Sequence, residues 1–157
     1  FTPLSSNSSK GLIVQKLINN QFCKGENFNF DIGEHSVWFK NNMIIIIGKN
    51  QFNNWAHLAE VGLANAGTAT EQICGLGIPV LSIPGKGPQF TRAFALRQQR
   101  LLGGCVSVCN SKEIFNKKLL ILLKDKQLRF EKGNIGIERM GSSGASLKIA
   151  KYINLKL

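Results

Sequence analysis

Two stretches carry the residue types that could hold an anion, Ala66-Gly67-Thr68-Ala69-Thr70-Glu71-Gln72 and Pro84-Gly85-Lys86-Gly87-Pro88-Gln89. In each, a glycine turn runs into a helix whose first amides have no partner within the helix. Such amides, at the positive end of a helix dipole, attract phosphate and carboxylate. Lys86, forced into a turn between two glycines, adds a full charge. The plain alternative is that both turns only reverse the chain, as in any α/β domain. AGTATEQ is neither GxGxxG nor GxxxxGK[ST], so spacing alone leaves both readings open.

The elements that must position these residues form one unit repeated twice: short apolar strand, glycine-containing turn, helix. Leu63-Ala64 leads into the first turn, and the spacing predicts a helix from Thr68 that ends at Gly75 or Gly77, where glycine can cap it. Pro79 to Ile83 reads as a buried strand. The proline turn follows, and a second helix is expected near Gln89. Side by side in a parallel sheet, the two junctions would share its carboxyl end, where ligand crevices form in open α/β sheets.

The 157 residues, 43% of them apolar, suffice for one domain with a core, and one domain over 1–157 is expected. Net charge is +11, unevenly spread. Residues 1–85 hold five lysines against five acids, whereas 86–157 hold fifteen Lys/Arg against four acids. That excess favours anionic partners, whether nucleotide phosphates, an anionic membrane or a nucleic acid. No apolar run approaches the roughly 18 residues of a membrane span, and no signal-like start is present. The abrupt Phe1-Thr-Pro-Leu beginning reads as a piece of a larger protein. Cys23, Cys74, Cys105 and Cys109 form no CxxC pair, and the reading is free core thiols in a reducing cytosol rather than zinc ligands. No metal and no cofactor is expected.

Along the chain, Gly11 to Asn20 has helical spacing, and the Ser/Asn cluster before it could cap that helix. Val37 to Lys40 and Met43 to Gly48 are β-rich runs joined by Asn41-Asn42, a hairpin-type turn. The second run reads as a central strand buried on both faces. Asn53-Asn54 would cap a helix carrying Trp55, Leu58 and Ala59. Cys105 to Val108 is a last strand, and Ser111 caps an amphipathic helix with Ile114, Phe115, Leu119, Leu122 and Leu123 inward. Lys126 to Met140 looks less regular, Gly141 to Gly144 is a break, and Ala145 to Leu155 a terminal helix. Trp38 and Trp55 read as packing residues, His57 as non-catalytic, and Arg92, Arg97 and Arg100 as a solvated helix face. Strand–helix alternation from residue 43 predicts a mostly parallel sheet in a layered α/β domain.

The string from Ala66 to Gly103, with ERMGSSGASLKIA at 138–150, resembles the carboxyl-terminal half of the lipid-A-disaccharide synthase-related proteins. These are relatives of B-type glycosyltransferases, which have two Rossmann-like domains. The resemblance implies a Rossmann-like donor domain, the carboxyl-terminal half of a GT-B-type fold, that binds a nucleotide-sugar, usually UDP-linked. It implies that Gly67, Thr68, Ala69 and Thr70 face the diphosphate and that Gly85, Lys86, Gly87 and Gln89 add contacts. A carboxylate early in the helix would hold the ribose. In lipid-A-disaccharide synthase the string is similar to SGTATLE, with that carboxylate seven residues before the next strand's proline. Here that place is Gln72, and Glu71 is one earlier. Glu71 is preferred, because a carboxylate can accept from both ribose hydroxyls.

The resemblance further implies a parent glycosyltransferase acting in the cytoplasm or peripherally at the inner membrane face. Its acceptor is unspecified and could be lipid-linked. The acceptor domain would precede Phe1, so no catalytic residue is assigned and no transfer by this chain alone is expected. The competing readings are a nucleotide-sugar epimerase and a non-catalytic basic module for nucleic acid or anionic membrane. No nucleic acid partner is expected, because basic residues do not interleave with aromatics.

Overall fold

The computed structural model describes residues 7–25, 35–48, 50–85 and 90–155. Lys86, Gly87, Pro88 and Gln89 lie outside the described residues. The chain is mixed α/β and divides into two compact units, Phe1–Trp55 and Ala56–Leu157.

The first unit holds α1 (Asn7–Asn19), β1 (Cys23–Lys24), β2 (His35–Lys40), β3 (Met43–Gly48) and α2 (Phe52–Trp55). The strands form an antiparallel sheet of order β1-β2-β3. Asn41 takes a left-handed conformation (φ 51°), and the tight turn pairs Lys40 with Met43. The hairpin is therefore as its sequence predicts. The buried central strand is not: Met43 and Ile44 are 57% and 58% exposed. Pairing across a two-residue turn closes almost no loop, so the local partner is taken before any distant parallel one. Trp38 is buried in β2. The Trp55 ring lies where a Cβ on Gly48 would sit. α1 begins four residues before the predicted Gly11, inside the Ser/Asn cluster. The helix predicted around Trp55 shortens to α2, and Ala56–Leu58 continue as a 3-10 turn with His57 exposed.

The second unit alternates β4 (Gly62–Leu63), α3 (Thr68–Gly75), β5 (Val80–Ser82), α4 (Arg92–Leu102) and β6 (Val106–Val108). It ends in α5 (Lys112–Lys124), α6 (Lys126–Met140) and α7 (Ala145–Asn154). Its sheet is parallel, of order β4-β5-β6. In this register Val80, Ser82, Val106 and Val108 share one face and Leu81 and Ser107 the other. α4 packs on the first face, Ala95 and Phe90 meeting Val108. α5 packs on the second, Leu122 meeting Leu81 and Cys109. A sheet covered on both faces needs apolar strands without alternation, and Val80-Leu81 fits.

Three corrections apply here. α4 starts at Arg92 rather than near Gln89, because the Thr91 side chain caps it, accepting from the Phe94 amide at 3.2 Å. On α5, Phe115, Leu119 and Leu122 turn inward as expected, but Ile114 and Leu123 are exposed. Residues 126–140, read as less regular, form a continuous helix. Gly133 and Gly136 break the pattern in the sequence but build the contact in the fold. They lie one turn apart on the buried side of α6, and a Cβ at either would collide with the Gly77 carbonyl or with Cys74 and Cys105. Ser111 and Asp125 cap α5 and α6 from their side chains. Arg129 binds the Leu122 and Leu123 carbonyls at the end of α5, at 2.6 and 3.0 Å, and pairs with Glu60 at 3.1 Å.

Candidate functional site at the carboxyl edge of the parallel sheet

Because β4, β5 and β6 run the same way, the segments that follow them lie along one edge. Asn65 stitches the first two together: its Oδ1 accepts from the Ile83 amide at 2.9 Å and the Ser82 hydroxyl at 3.2 Å. The Cys109 amide donates to the Ser82 carbonyl at 2.7 Å and joins the third. A cleft of about 290 Å³ opens at this edge between Ile83, Pro84, Arg92, Cys109 and Asn110.

The turn into α3 is held from behind. Gln98 of α4, only 4% exposed, donates from Nε2 to the Gly67 carbonyl at 2.9 Å and to the Ala66 carbonyl at 3.3 Å. The Thr70 hydroxyl also donates to Ala66. The Gly67 carbonyl accepts the Thr70 and Glu71 amides. The turn's acceptors are thus drawn into the protein. α3 differs from α4, α5 and α6 in that no side chain caps it at its N-cap, Gly67. Its opening amides remain to be satisfied from outside the helix.

The predicted site residues separate as follows. Gly67 and Ala69 are half-buried at the helix start and Thr68 is exposed. Thr70 is fully buried, so its hydroxyl holds the turn rather than facing a ligand. Glu71 is half-buried and Gln72 exposed in adjacent positions, and neither makes a side-chain hydrogen bond or ion pair among the described residues. Gly85 is exposed, its amide donating to the Phe90 carbonyl at 3.1 Å. Lys86, Gly87 and Gln89 belong to the stretch outside the described residues.

Sequence reasoning missed Asn65 and Gln98 and assigned Arg92 to a solvated face. Arg92 is exposed, as are Arg97 and Arg100 on the same helix, and it also lines the cleft. Gln98 had a visible signal: with Ala95 and Leu102 it completes an i, i+3, i+7 set, a polar group in an apolar register.

Cys74, Cys105 and Cys109 are buried, and Cys23 is exposed. The hydrogen bond to Cys105, and then burial, push the Cys74 thiol far above its ordinary value; burial also pushes up Cys109. Among the described residues no cluster of three or more His, Cys, Asp or Glu could hold a metal ion. Among those residues, too, no helix is long and apolar enough to cross a membrane.

No protein-family model, curated protein or solved structure matches the chain.

Proposed function

We propose that the Ala56–Leu157 unit is a Rossmann-like donor domain that binds a UDP-linked sugar, within a glycosyltransferase related to lipid-A-disaccharide synthase. The observation that carries this reading is the start of α3. It lacks a side-chain cap, its turn carbonyls are drawn inward by Gln98 and Thr70, and it opens at the carboxyl edge of a parallel sheet. A diphosphate is the chemistry such an end accepts, because its oxygens take several amides at once and its charge answers the helix dipole.

In this reading the amides of Gly67, Thr68 and Ala69 and the Thr68 hydroxyl take the diphosphate. Glu71 takes the ribose hydroxyls, with Gln72 the neutral alternative. Arg92 supplies positive charge at the cleft, and the resemblance adds contacts from Gly85, Lys86, Gly87 and Gln89. Thr70 positions the first. The unit supplies donor binding only; acceptor and catalytic base belong to a separate domain.

The test is titration of isotope-labelled protein with UDP, GDP and NAD, following amide resonances. Shifts at Gly67, Thr68, Glu71 and Arg92 for UDP alone are expected. A spectrum unchanged by UDP and UDP-sugars sinks the proposal. Steeply salt-dependent binding of nucleic acid without nucleotide competition would replace it with the basic-module reading.

A further inference from the structure

The first unit contains a second, unrelated cleft. Between the end of α1 and the β2–β3 hairpin lies a space of about 760 Å³, within the range of small-molecule sites. Ile13, Leu17, Phe22 and Met43 make its walls largely apolar, and among the described residues Lys16 and Lys40 are the charged side chains that line it. Lys40 Nζ donates to the Asn20 carbonyl at 2.8 Å and stands 5.9 Å from the centroid of the Phe22 ring. An ammonium has three protons, so two remain uncommitted among the described residues. Lys40 already answers the negative carbonyl end of α1, and Lys16 adds a second cation that no carboxylate among the described lining residues balances.

We infer that this cleft binds a single-chain amphiphile, its hydrocarbon tail against Ile13, Leu17, Phe22 and Met43 and its anionic head, carboxylate or phosphate, on Lys16 and Lys40. An apolar tail removes from water side chains the fold leaves open, Met43 at 57% exposure among them. A nucleotide fits less well, since among the described lining residues Phe22 alone offers a ring on which a base could stack. A second copy of the chain would set like charges against each other. The inference does not depend on the nucleotide-sugar reading, which concerns the other unit.

The experiment is calorimetric titration of the 157-residue chain, below the critical micelle concentrations, with dodecanoate, dodecyl phosphate, dodecanol and inorganic phosphate. Saturable one-to-one binding of either anionic amphiphile is expected, with amide shifts at Leu17, Phe22 and Met43; the tighter of the two identifies the head group. Dodecanol and inorganic phosphate should bind at least about tenfold more weakly, since each lacks one half of the match. Lys16→Met, which leaves the Lys40 bond to Asn20 in place, should weaken binding about tenfold, and Lys40→Arg should retain it. The double variant Lys148→Met, Lys151→Met on the exposed helix α7 should bind like the parent. Equal binding of dodecanol, binding unaffected by Lys16→Met, loss of binding in the α7 variant, or no binding at all would each overturn the inference.

Discussion

Gln98 offers the sharpest test of how the α3 turn is held. Its amide spans 31 residues to reach Gly67 and 32 to reach Ala66, with bonds of 2.9 and 3.3 Å. Gln98→Leu keeps most of the volume and removes both. A net intramolecular hydrogen bond contributes about 0.5–1.5 kcal/mol, so the pair sets a ceiling near 3 kcal/mol. Two effects lower it. Each carbonyl keeps another donor, the Thr70 hydroxyl for Ala66 and the Thr70 and Glu71 amides for Gly67. The Gln98 Oε1 is itself buried without a partner, and leucine removes that penalty. The expected loss is therefore about 1–2 kcal/mol, or roughly 2–8 °C in Tm for a chain of this size. Gln98→Ala should lose more, because it adds a cavity. Once unpinned, the turn can rotate its carbonyls outward toward a bound anion, so UDP affinity should fall by more than the stability change alone explains. Thermal melts and UDP titrations at a temperature where both proteins are fully folded separate the effects. A Gln98→Leu protein as stable as the parent would refute the pinning argument.

Three further outcomes follow from particular contacts. Gly133→Ala should destabilise by at least about 1–3 kcal/mol, because the new methyl meets the Gly77 carbonyl, whereas helix propensity alone would stabilise by about 1 kcal/mol; chemical denaturation gives the sign, and a gain would deny the close approach of α6. In the absence of denaturant, a thiol reagent should modify Cys23 rapidly and Cys74, Cys105 and Cys109 only on unfolding, as mass spectrometry would show; early modification of Cys74 would mean that its burial is not maintained. Glu113, at the start of α5, is held below the usual carboxylate range, first by its hydrogen bond with Ser111. A depressed carboxylate contributes stability above its unfolded pKa and loses it as pH falls through its folded pKa, so Glu113→Gln should flatten the decline of Tm on acidification; an unchanged slope would show that the bond is not made.

The parallel unit was legible because its signals are local and mutually consistent. Pro79 to Ile83 is apolar except for Ser82 and bounded by turn residues, so a short buried strand is written into it. Thr68 opens α3 and Gly75 ends it, as predicted. The errors have a common physical origin: one pattern serves two environments. A run such as Met43 to Ile47 suits a strand buried on both faces, but it pairs equally well in a hairpin, and the Asn41-Asn42 turn settles the partner. Glycines 133 and 136 weaken a helix by propensity, yet they allow α6 to approach the Cys74 and Gly77 carbonyls more closely than any side chain would permit. Propensity describes an isolated helix, whereas packing decides this one.

The candidate site shows the same division more usefully. The candidate residues at the glycine turn were picked by type, because glycine turns and threonines advertise themselves. The residues that aim them were not, since Asn65 and Gln98 act through backbone groups far away in sequence. Yet a buried polar side chain costs stability unless it is bonded, so a glutamine in an apolar helix register must have a partner in the fold. A polar residue out of register thus marks a contact that the fold must satisfy, here the Gln98 bonds that hold the α3 turn.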